Sequence, residues 1–268
     1  MNILDEIAQR TRQRIAYEKT QIPISTLRVQ AEEKRKQLHG QGERCSFGEA
    51  LKKQGMSYIC EVKKASPSKG LIAAEFPYLD IAREYEKAGA CAVSCLTEPY
   101  YFKGADQYLK EIVSAIKLPV LRKDFTVDEY MIYQAAALGA SAVLLICAIL
   151  DDGQLQSFRQ LSRELGMDAL VEVHDEAEAE RALKSGAGII GVNNRDLRTF
   201  QVDTGNSIRI RRMIPQGITF VSESGIRNRD DIELLHRNQV DAVLIGETLM
   251  GNPDKGKVLK ILNGGPLI

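Results

Sequence analysis

The chain has 268 residues, of which 44% are hydrophobic and 27% are charged, and its 36 Lys and Arg residues balance its 36 Asp and Glu residues. This composition is typical of a globular protein of enzyme size, and the zero net charge argues against whole-molecule attraction to nucleic acid or to an anionic membrane. No apolar run is long enough to span a bilayer and the start of the chain lacks the apolar centre of an export signal, so we expect a cytoplasmic protein.

The first 55 residues predict a helical extension that precedes a repeating pattern. Ile3, Leu4 and Ile7 could form one face of an opening helix. No long linker rich in Gly, Ser or Pro separates this segment from the rest of the chain. We therefore expect residues 1–268 to form a single domain in which residues 1–55 pack on the remainder.

From residue 57 onward, helical patterns alternate with short runs rich in Val, Ile, Leu and Ala. Each unit takes about 20 to 35 residues, which is typical of parallel βα units. Eight units predict an α/β protein with a closed (β/α)8 barrel, a TIM barrel, and an open doubly wound sheet is the less favoured alternative. The runs are YICEV, CAVSCL, PVLRKDF, AVLLICA, ALVEVH, GIIGVNN, ITFVSES and AVLIGE.

Polar side chains gather at the carboxyl ends of these runs. In a barrel these ends meet at one mouth, where barrel enzymes carry their chemistry. Side chains alternate along a strand, so Glu61 and Lys63 share one face of the first run. Burial of unpaired charges costs several kcal/mol each, so a purely structural core would not collect them. If the alternation within a strand were offset by one residue, the charged side chain of that strand would instead point toward the helices. The same phase turns four later side chains inward: Lys123, Glu172, Asn193 and Glu223.

Glycine-containing turns follow the last two runs. Ser224 and Gly225 follow the seventh run, and Gly246 and Glu247 follow the eighth. Many barrels bind phosphate at these two positions through backbone N–H groups. A simple tight turn is the alternative for each glycine taken singly. Their paired position predicts an anion site.

Six motifs, in this order, resemble the indole-3-glycerol phosphate synthase family of tryptophan biosynthesis: EVKKASPSKG, LRKDF, VEVH, GVNNRDL, SESGI and LIGETLM. The resemblance covers essentially the whole chain. It implies a carboxy-lyase that converts 1-(2-carboxyphenylamino)-1-deoxyribulose 5-phosphate into indole-3-glycerol phosphate, with loss of carbon dioxide and water. It also implies a small anionic substrate, no cofactor and no metal. We expect a monomer without nucleic-acid or membrane partners.

The resemblance assigns roles to residues. Lys123 matches the general acid that protonates the ketone oxygen, and Glu172 matches a carboxylate that stabilises positive charge near the aniline nitrogen and moves protons later. Lys63, with Glu61 as its partner, matches a second lysine that either binds the phosphate and carboxylate or acts as an acid in the dehydration. The remaining matches are Asn193 and Arg195 at the anthranilate end, Glu223 and Ser224 beside the phosphate, Ser66, Gly225, Gly246 and Glu247 in the phosphate cradle, and Phe102 and Phe125 as walls for the aromatic ring.

Two further expectations concern the surroundings of this site. The loop KKASPSKG is a candidate lid that Pro67 stiffens and Gly70 hinges, with Lys64 and Lys69 in solvent. His174 is expected to point away from the mouth, as a surface or packing histidine.

Two other functions remain as alternatives. A sugar-phosphate isomerase barrel such as phosphoribosylanthranilate isomerase needs a cysteine and an aspartate, but Cys60 lies on the face opposite Glu61 and two lysines occupy the mouth. A non-catalytic barrel could keep the phosphate cradle. Five cysteines, mostly in apolar runs, are expected to be buried and reduced, and three histidines are too few to favour a zinc site.

Overall fold

The computed structural model describes residues 2–40, 45–196 and 199–264, and eight parallel strands form a closed barrel. A short antiparallel hairpin follows the first of them. In chain order the strands are β1 (Ser57–Val62), the hairpin strands β2 (Ala65–Ser66) and β3 (Gly70–Leu71), β4 (Ala92–Leu96), β5 (Val120–Lys123), β6 (Ala142–Ile146), β7 (Asp168–Val173), β8 (Ile189–Asn193), β9 (Thr219–Glu223) and β10 (Ala242–Ile245). All eight apolar runs contain a barrel strand, and β10 pairs with β1, so the closed barrel is confirmed over the open sheet.

Helices cover the outside of the barrel and precede it. They are α1 (Ile3–Gln21), α2 (Ile24–Gly40), α3 (Phe47–Ala50), α4 (Tyr78–Ala88), α5 (Asp106–Ala115), α6 (Glu129–Leu138), α7 (Asp152–Glu164), α8 (Glu176–Lys184), α9 (Gly205–Arg211), α10 (Arg229–Arg237), α11 (Glu247–Met250) and α12 (Lys255–Leu262). Asn2, Asp151 and Asn228 begin α1, α7 and α10 as N-caps, because their side-chain oxygens accept a backbone N–H three residues on. Across residues 2–40, 45–196 and 199–264, no helix combines the length and apolarity needed to cross a membrane.

Side chains alternate across the barrel wall. Ile59, Leu121 and Leu170 join one buried cluster inside the barrel, whereas Cys60 and Val93 join the larger cluster between strands and helices. This phase is the predicted one, so Glu61 and the other polar residues of the same parity point inward. Four of the five cysteines are buried free thiols, as expected, and Cys45 is exposed.

Arg122 is a charged exception in the layer between strands and helices. Its side chain is 3% exposed and its Nη2 lies 2.9 Å from Oδ1 of Asp106 at the start of α5. Its other nitrogens donate to Thr97 Oγ1 at 3.1 Å and to the Met131 carbonyl at 2.9 Å. At this position, the ion pair and hydrogen bonds offset the cost of burying a guanidinium in a layer that is normally apolar.

The two ends of the barrel are covered differently. At the amino-terminal end, Phe47 and Leu51 are fully buried in the inner cluster, and the Gly48 N–H donates to Oδ2 of Asp168 at 2.8 Å. The α3 segment therefore plugs this end. At the carboxyl-terminal end, Arg14 of α1 pairs with Asp124, directly after β5, with Nη2 to Oδ2 at 2.9 Å. This ion pair fixes α1 across the mouth.

Candidate active site

All fourteen predicted site residues line one cavity at the carboxyl-terminal mouth of the barrel. Strand ends position several of the polar ones, since Lys123 ends β5 and Asn193 ends β8, while Glu172 lies one residue before the end of β7. Loops bring the others. The set is Glu61, Lys63, Ser66, Phe102, Lys123, Phe125, Glu172, Asn193, Arg195, Glu223, Ser224, Gly225, Gly246 and Glu247.

Lys123 lies between two buried carboxylates. Its Nζ is 2.9 Å from Oε2 of Glu172 and 3.4 Å from Oε2 of Glu223, and both glutamate side chains are 2% exposed. Asn193 Nδ2 donates to Oε1 of Glu172 at 3.2 Å. The ammonium is therefore held in one place at the centre of the mouth by charge-assisted hydrogen bonds.

Burial and neighbouring charges shift the pKa values of Lys123, Glu172 and Glu223 in different directions. Burial alone would lower the pKa of Lys123, but Glu172, Glu223 and Glu61 raise it above its ordinary value. Burial likewise opposes ionisation of Glu172, yet Lys123 and His174 hold its pKa below the usual range. Glu223 has a less favourable balance: burial, together with the charges of Glu172 and Glu61, raises its pKa to about 7 although Lys123 acts against this. Near neutral pH, Glu172 is thus the carboxylate and Glu223 can hold a proton.

A second ion pair, from the end of β1, lines the same cavity. Lys63 Nζ lies 2.7 Å from Oε1 of Glu61, and their side chains are 15% and 6% exposed. A Cβ atom added to Gly246 would contact Oε1 of Glu61 and would come within 3.1 Å of Lys63 Nζ. Glycine at this position therefore leaves the space that the ion pair occupies.

The predicted phosphate cradle combines turns with a group of charges. Ser224 and Gly225 both have positive φ (68° and 87°), and the Ser224 hydroxyl donates to Oδ1 of Asn193 at 3.0 Å. The Glu247 carboxylate pairs with Arg195 Nη2 at 2.9 Å and with Lys69 Nζ at 3.2 Å. Lys69 is exposed as expected, but it also forms this ion pair, which the sequence did not indicate. Two cations thus meet at the cradle with one acid between them.

The loop KKASPSKG folds as the β2–β3 hairpin at the edge of the mouth. Ser66 Oγ lies 3.4 Å from Ser68 Oγ, and both residues line the cavity with Pro67. Gly70 has a φ of 65°, which glycine adopts without strain. The Ile72 N–H donates to the Lys64 carbonyl at 2.9 Å and closes the hairpin. The position suits a lid, and its movement stays a prediction.

Apolar side chains from the loops after β4 and β5 and from α1 also line the cavity. The rings of Phe102 and Phe125 are 5.9 Å apart between centroids. Ile3, Leu4 and Ile7 of α1 also line the cavity, a contribution that the sequence reasoning missed. Their apolar face was visible in the sequence, but its spacing carries no information on which part of the barrel α1 covers.

His174 packs outside the cavity, as expected, but its ring contacts Glu172, which the sequence did not indicate. His174 Nε2 lies 3.5 Å from Oε1 of Glu172, and the side chain is 19% exposed. Residues 172 and 174 are two positions apart, so their side chains share one side of the chain as β7 ends. The ring lies behind the carboxylate, because His174 itself is not among the residues that line the cavity.

Comparisons with known proteins agree with the motifs. The family model of indole-3-glycerol phosphate synthase matches residues 4–262. Two relatives that carry this name are similar along their whole length: one from Ruminiclostridium cellulolyticum is 50% identical over 98% of this chain and 99% of its own, and one from Endomicrobium trichonymphae is 53% identical over 92% and 94%. Among solved structures, 3-hexulose-6-phosphate synthase from Salmonella typhimurium covers 77% of this chain and 96% of its own with a TM-score of 0.64, at 13% identity, which is evidence for the fold alone.

Proposed function

Because the chain belongs to the indole-3-glycerol phosphate synthase family, a family of carboxy-lyases in tryptophan biosynthesis, we propose that the two lysines and three glutamates at the barrel mouth carry out its reaction. The substrate is a small phosphorylated molecule, 1-(2-carboxyphenylamino)-1-deoxyribulose 5-phosphate. The aromatic carbon that bears the carboxylate attacks the ketone carbon. Carbon dioxide then leaves and restores the aromatic ring, and loss of water completes the indole.

Lys123 is the proposed acid of the ring-closing step. Negative charge develops on the ketone oxygen as the new carbon–carbon bond forms, and a proton delivered there removes it. The ammonium is ionised, held by Glu172 and Glu223, and 14% exposed, so it can reach a substrate in the cavity. Its raised pKa keeps it protonated near neutral pH, so a proton is available when the alkoxide develops.

Glu172 and Glu223 have different proposed tasks because their environments differ. Glu172 is ionised when the attack occurs, stabilises the positive charge near the aniline nitrogen and can then take up a proton. Glu223 holds a proton near neutral pH and can return one to Lys123 between steps, since its Oε2 lies 3.4 Å from Lys123 Nζ. Of the two carboxyl groups beside Lys123, Glu172 thus acts as the anion and Glu223 as the proton donor.

Lys63 and Glu61 are the proposed second pair. Lys63 either binds the substrate phosphate and carboxylate or protonates the hydroxyl that leaves as water, and Glu61 orients it at 2.7 Å. The substrate phosphate is proposed to lie against Ser224, Gly225 and Gly246, with Ser66, Arg195 and Glu247 nearby. The anthranilate ring is proposed to lie between Phe102, Phe125 and Asn193. We further propose that the chain acts as a monomer in the cytoplasm, since one chain lines the whole cavity.

The convergence of Lys123, Glu172, Glu223, Lys63 and Glu61 on one cavity is the observation that carries this proposal. It also speaks against the isomerase alternative, which needs a cysteine acid or base. Cys60 is fully buried among the outward-facing residues, and burial raises the pKa of its thiol far above the usual range.

The test follows the fluorescence of indole-3-glycerol phosphate formed from the substrate by wild type and by Lys123→Ala. We expect turnover by wild type and a loss of at least about 100-fold in kcat for Lys123→Ala, the contribution of a positioned general acid. Lys110→Ala, on the exposed face of α5, is the matched control and should behave as wild type. A folded wild type without turnover would contradict the proposal.

A further inference from the structure

His174 is held in one orientation by groups outside the cavity. Glu178 Oε2 of α8 lies 3.1 Å from Nδ1 of the ring and accepts the backbone N–H of His174 at 2.8 Å. Asn206 Nδ2 of α9 donates to the His174 carbonyl at 2.9 Å. An ionised carboxylate only accepts hydrogen bonds, so Nδ1 carries a hydrogen and Glu178 sets the tautomer of the neutral ring.

This tautomer creates a problem at the other ring nitrogen. Nε2 is buried, forms no hydrogen bond within the described part of the chain, and lies 3.5 Å from Oε1 of Glu172. A neutral ring with its hydrogen on Nδ1 would turn a lone pair toward a carboxylate oxygen that is itself rich in electrons. The contact is favourable only when one proton lies between the two atoms, on Nε2 or on Oε1.

We propose that His174 is a positioning residue that shares this proton with Glu172 and thereby sets the charge of the carboxylate next to Lys123. The proton leaves Oε1 when the N–H bond at Nε2 forms, and returns by the reverse step, so no other bond changes. With the proton on His174, Glu172 is an anion that can stabilise cationic substrate. With the proton on Glu172, the carboxyl is neutral, and the proton has come from His174 rather than from solvent. This inference rests on the proposed function of Glu172.

The charges around the ring favour its protonated form. Burial alone would lower the pKa of His174, but the hydrogen bond to Glu178 and the charges of Glu172, Glu178 and Glu223 raise it above the ordinary value on balance. Lys123 lies on the far side of Glu172 and is the cation nearest to that carboxylate. A raised pKa keeps the imidazolium present to a higher pH than in a free histidine, and the charge is lost as the pH rises through that value.

NMR titration of the imidazole nitrogens tests the shared proton without reference to activity. The chain has three histidines, so His174 is assigned by comparison with His174→Gln, and His236 on α10 serves as an internal reference. We expect Nδ1 to stay protonated throughout and Nε2 to titrate above the ordinary range of about 6.5. Glu172→Gln should lower that pKa by about one pH unit, because it removes a nearby opposite charge. An unchanged His174 titration in Glu172→Gln would overturn the inference.

Steady-state kinetics test whether the proton shared by His174 and Glu172 affects catalysis. His174→Gln keeps an amide that can donate to Glu172 but cannot exchange a proton, so we expect KM within about twofold of wild type, kcat lower by about 10-fold to 100-fold, and loss of the histidine-dependent limb of the pH profile. His236→Gln should leave all three unchanged. A His174→Gln profile of wild-type shape, lowered by a constant factor, would mean a structural role only. A wild type without synthase activity would end the proposed function, while the titration would still decide whether the proton is shared.

Discussion

Gly246→Ala is expected to impair catalysis more than it impairs folding. The new methyl group would contact Oε1 of Glu61 and lie 3.1 Å from Lys63 Nζ, so the Glu61–Lys63 pair must move. The backbone at Gly246 has a φ of −121°, outside the left-handed region that favours glycine, so we attribute the expected effect to this contact.

The expected losses of stability and activity depend on which atoms must move. The atoms in contact with the new methyl group are the ends of two long side chains, which can move easily, so we expect a loss of stability near the lower limit for overpacking, about 1 kcal/mol. For a chain of this size, that cost lowers the melting temperature by about 2–4 °C. A displacement of catalytic groups by about 1 Å can cost about 100-fold in rate. We therefore expect kcat/KM to fall by about 100-fold in a protein that remains folded at assay temperature.

The assay compares Gly246→Ala with Gly188→Ala in the same fluorescence measurement and in thermal unfolding. Gly188, directly before β8, has no atom within 4 Å of its added Cβ and has no positive φ, which makes it a matched control. We expect wild-type activity from Gly188→Ala. If Gly246→Ala kept wild-type kcat/KM, the position of the Glu61–Lys63 pair would not matter for the reaction and the argument would fail.

Two further predictions concern stability. The raised pKa of Glu223, about 7, means that the folded chain holds a proton which the unfolded chain has lost, so this residue should reduce the free energy of unfolding as pH rises from about 4.5 to 7, by on the order of 2 kcal/mol. Glu223→Gln should remove that part of the dependence in urea titrations at pH 5 and pH 8, and an unchanged difference between the two pH values would contradict the assignment. Arg14→Ala should cost about 2–3 kcal/mol, because Asp124 remains buried with only Thr97, Arg122 and the Phe125 N–H as partners within the described residues, and it should raise KM as α1 loosens. Gln13→Ala, at an exposed neighbouring position on α1, is the control and should change neither quantity by much.

Much of the barrel and of its mouth was predictable because both depend on local periodicity. Alternation in each run placed Glu61, Lys63 and Glu172 on the inner face, and the carboxyl ends of parallel strands necessarily meet. The sequence could therefore supply the positions of the charged groups before any distance was known.

The parts that were missed depend on contacts between distant segments. The apolar face of α1 gave no sign that it roofs the cavity, and the pairing of Arg122 with Asp106 joins residues whose sequence patterns are unrelated. The pairing of the Glu247 carboxylate with Arg195 and Lys69 likewise joins segments that the sequence does not link. His174 lies outside the cavity as expected, but its contact with Glu172 was missed, although a spacing of two residues puts both side chains on one side of the chain.

The plug formed by α3 bears on traffic through the barrel. With Phe47 and Leu51 packed into the amino-terminal end, we expect substrate to enter and product to leave at the carboxyl-terminal mouth, past α1 and the β2–β3 hairpin. The bulky product must then clear this passage before another substrate can pass. A compound that fills the passage would block arrival and departure together.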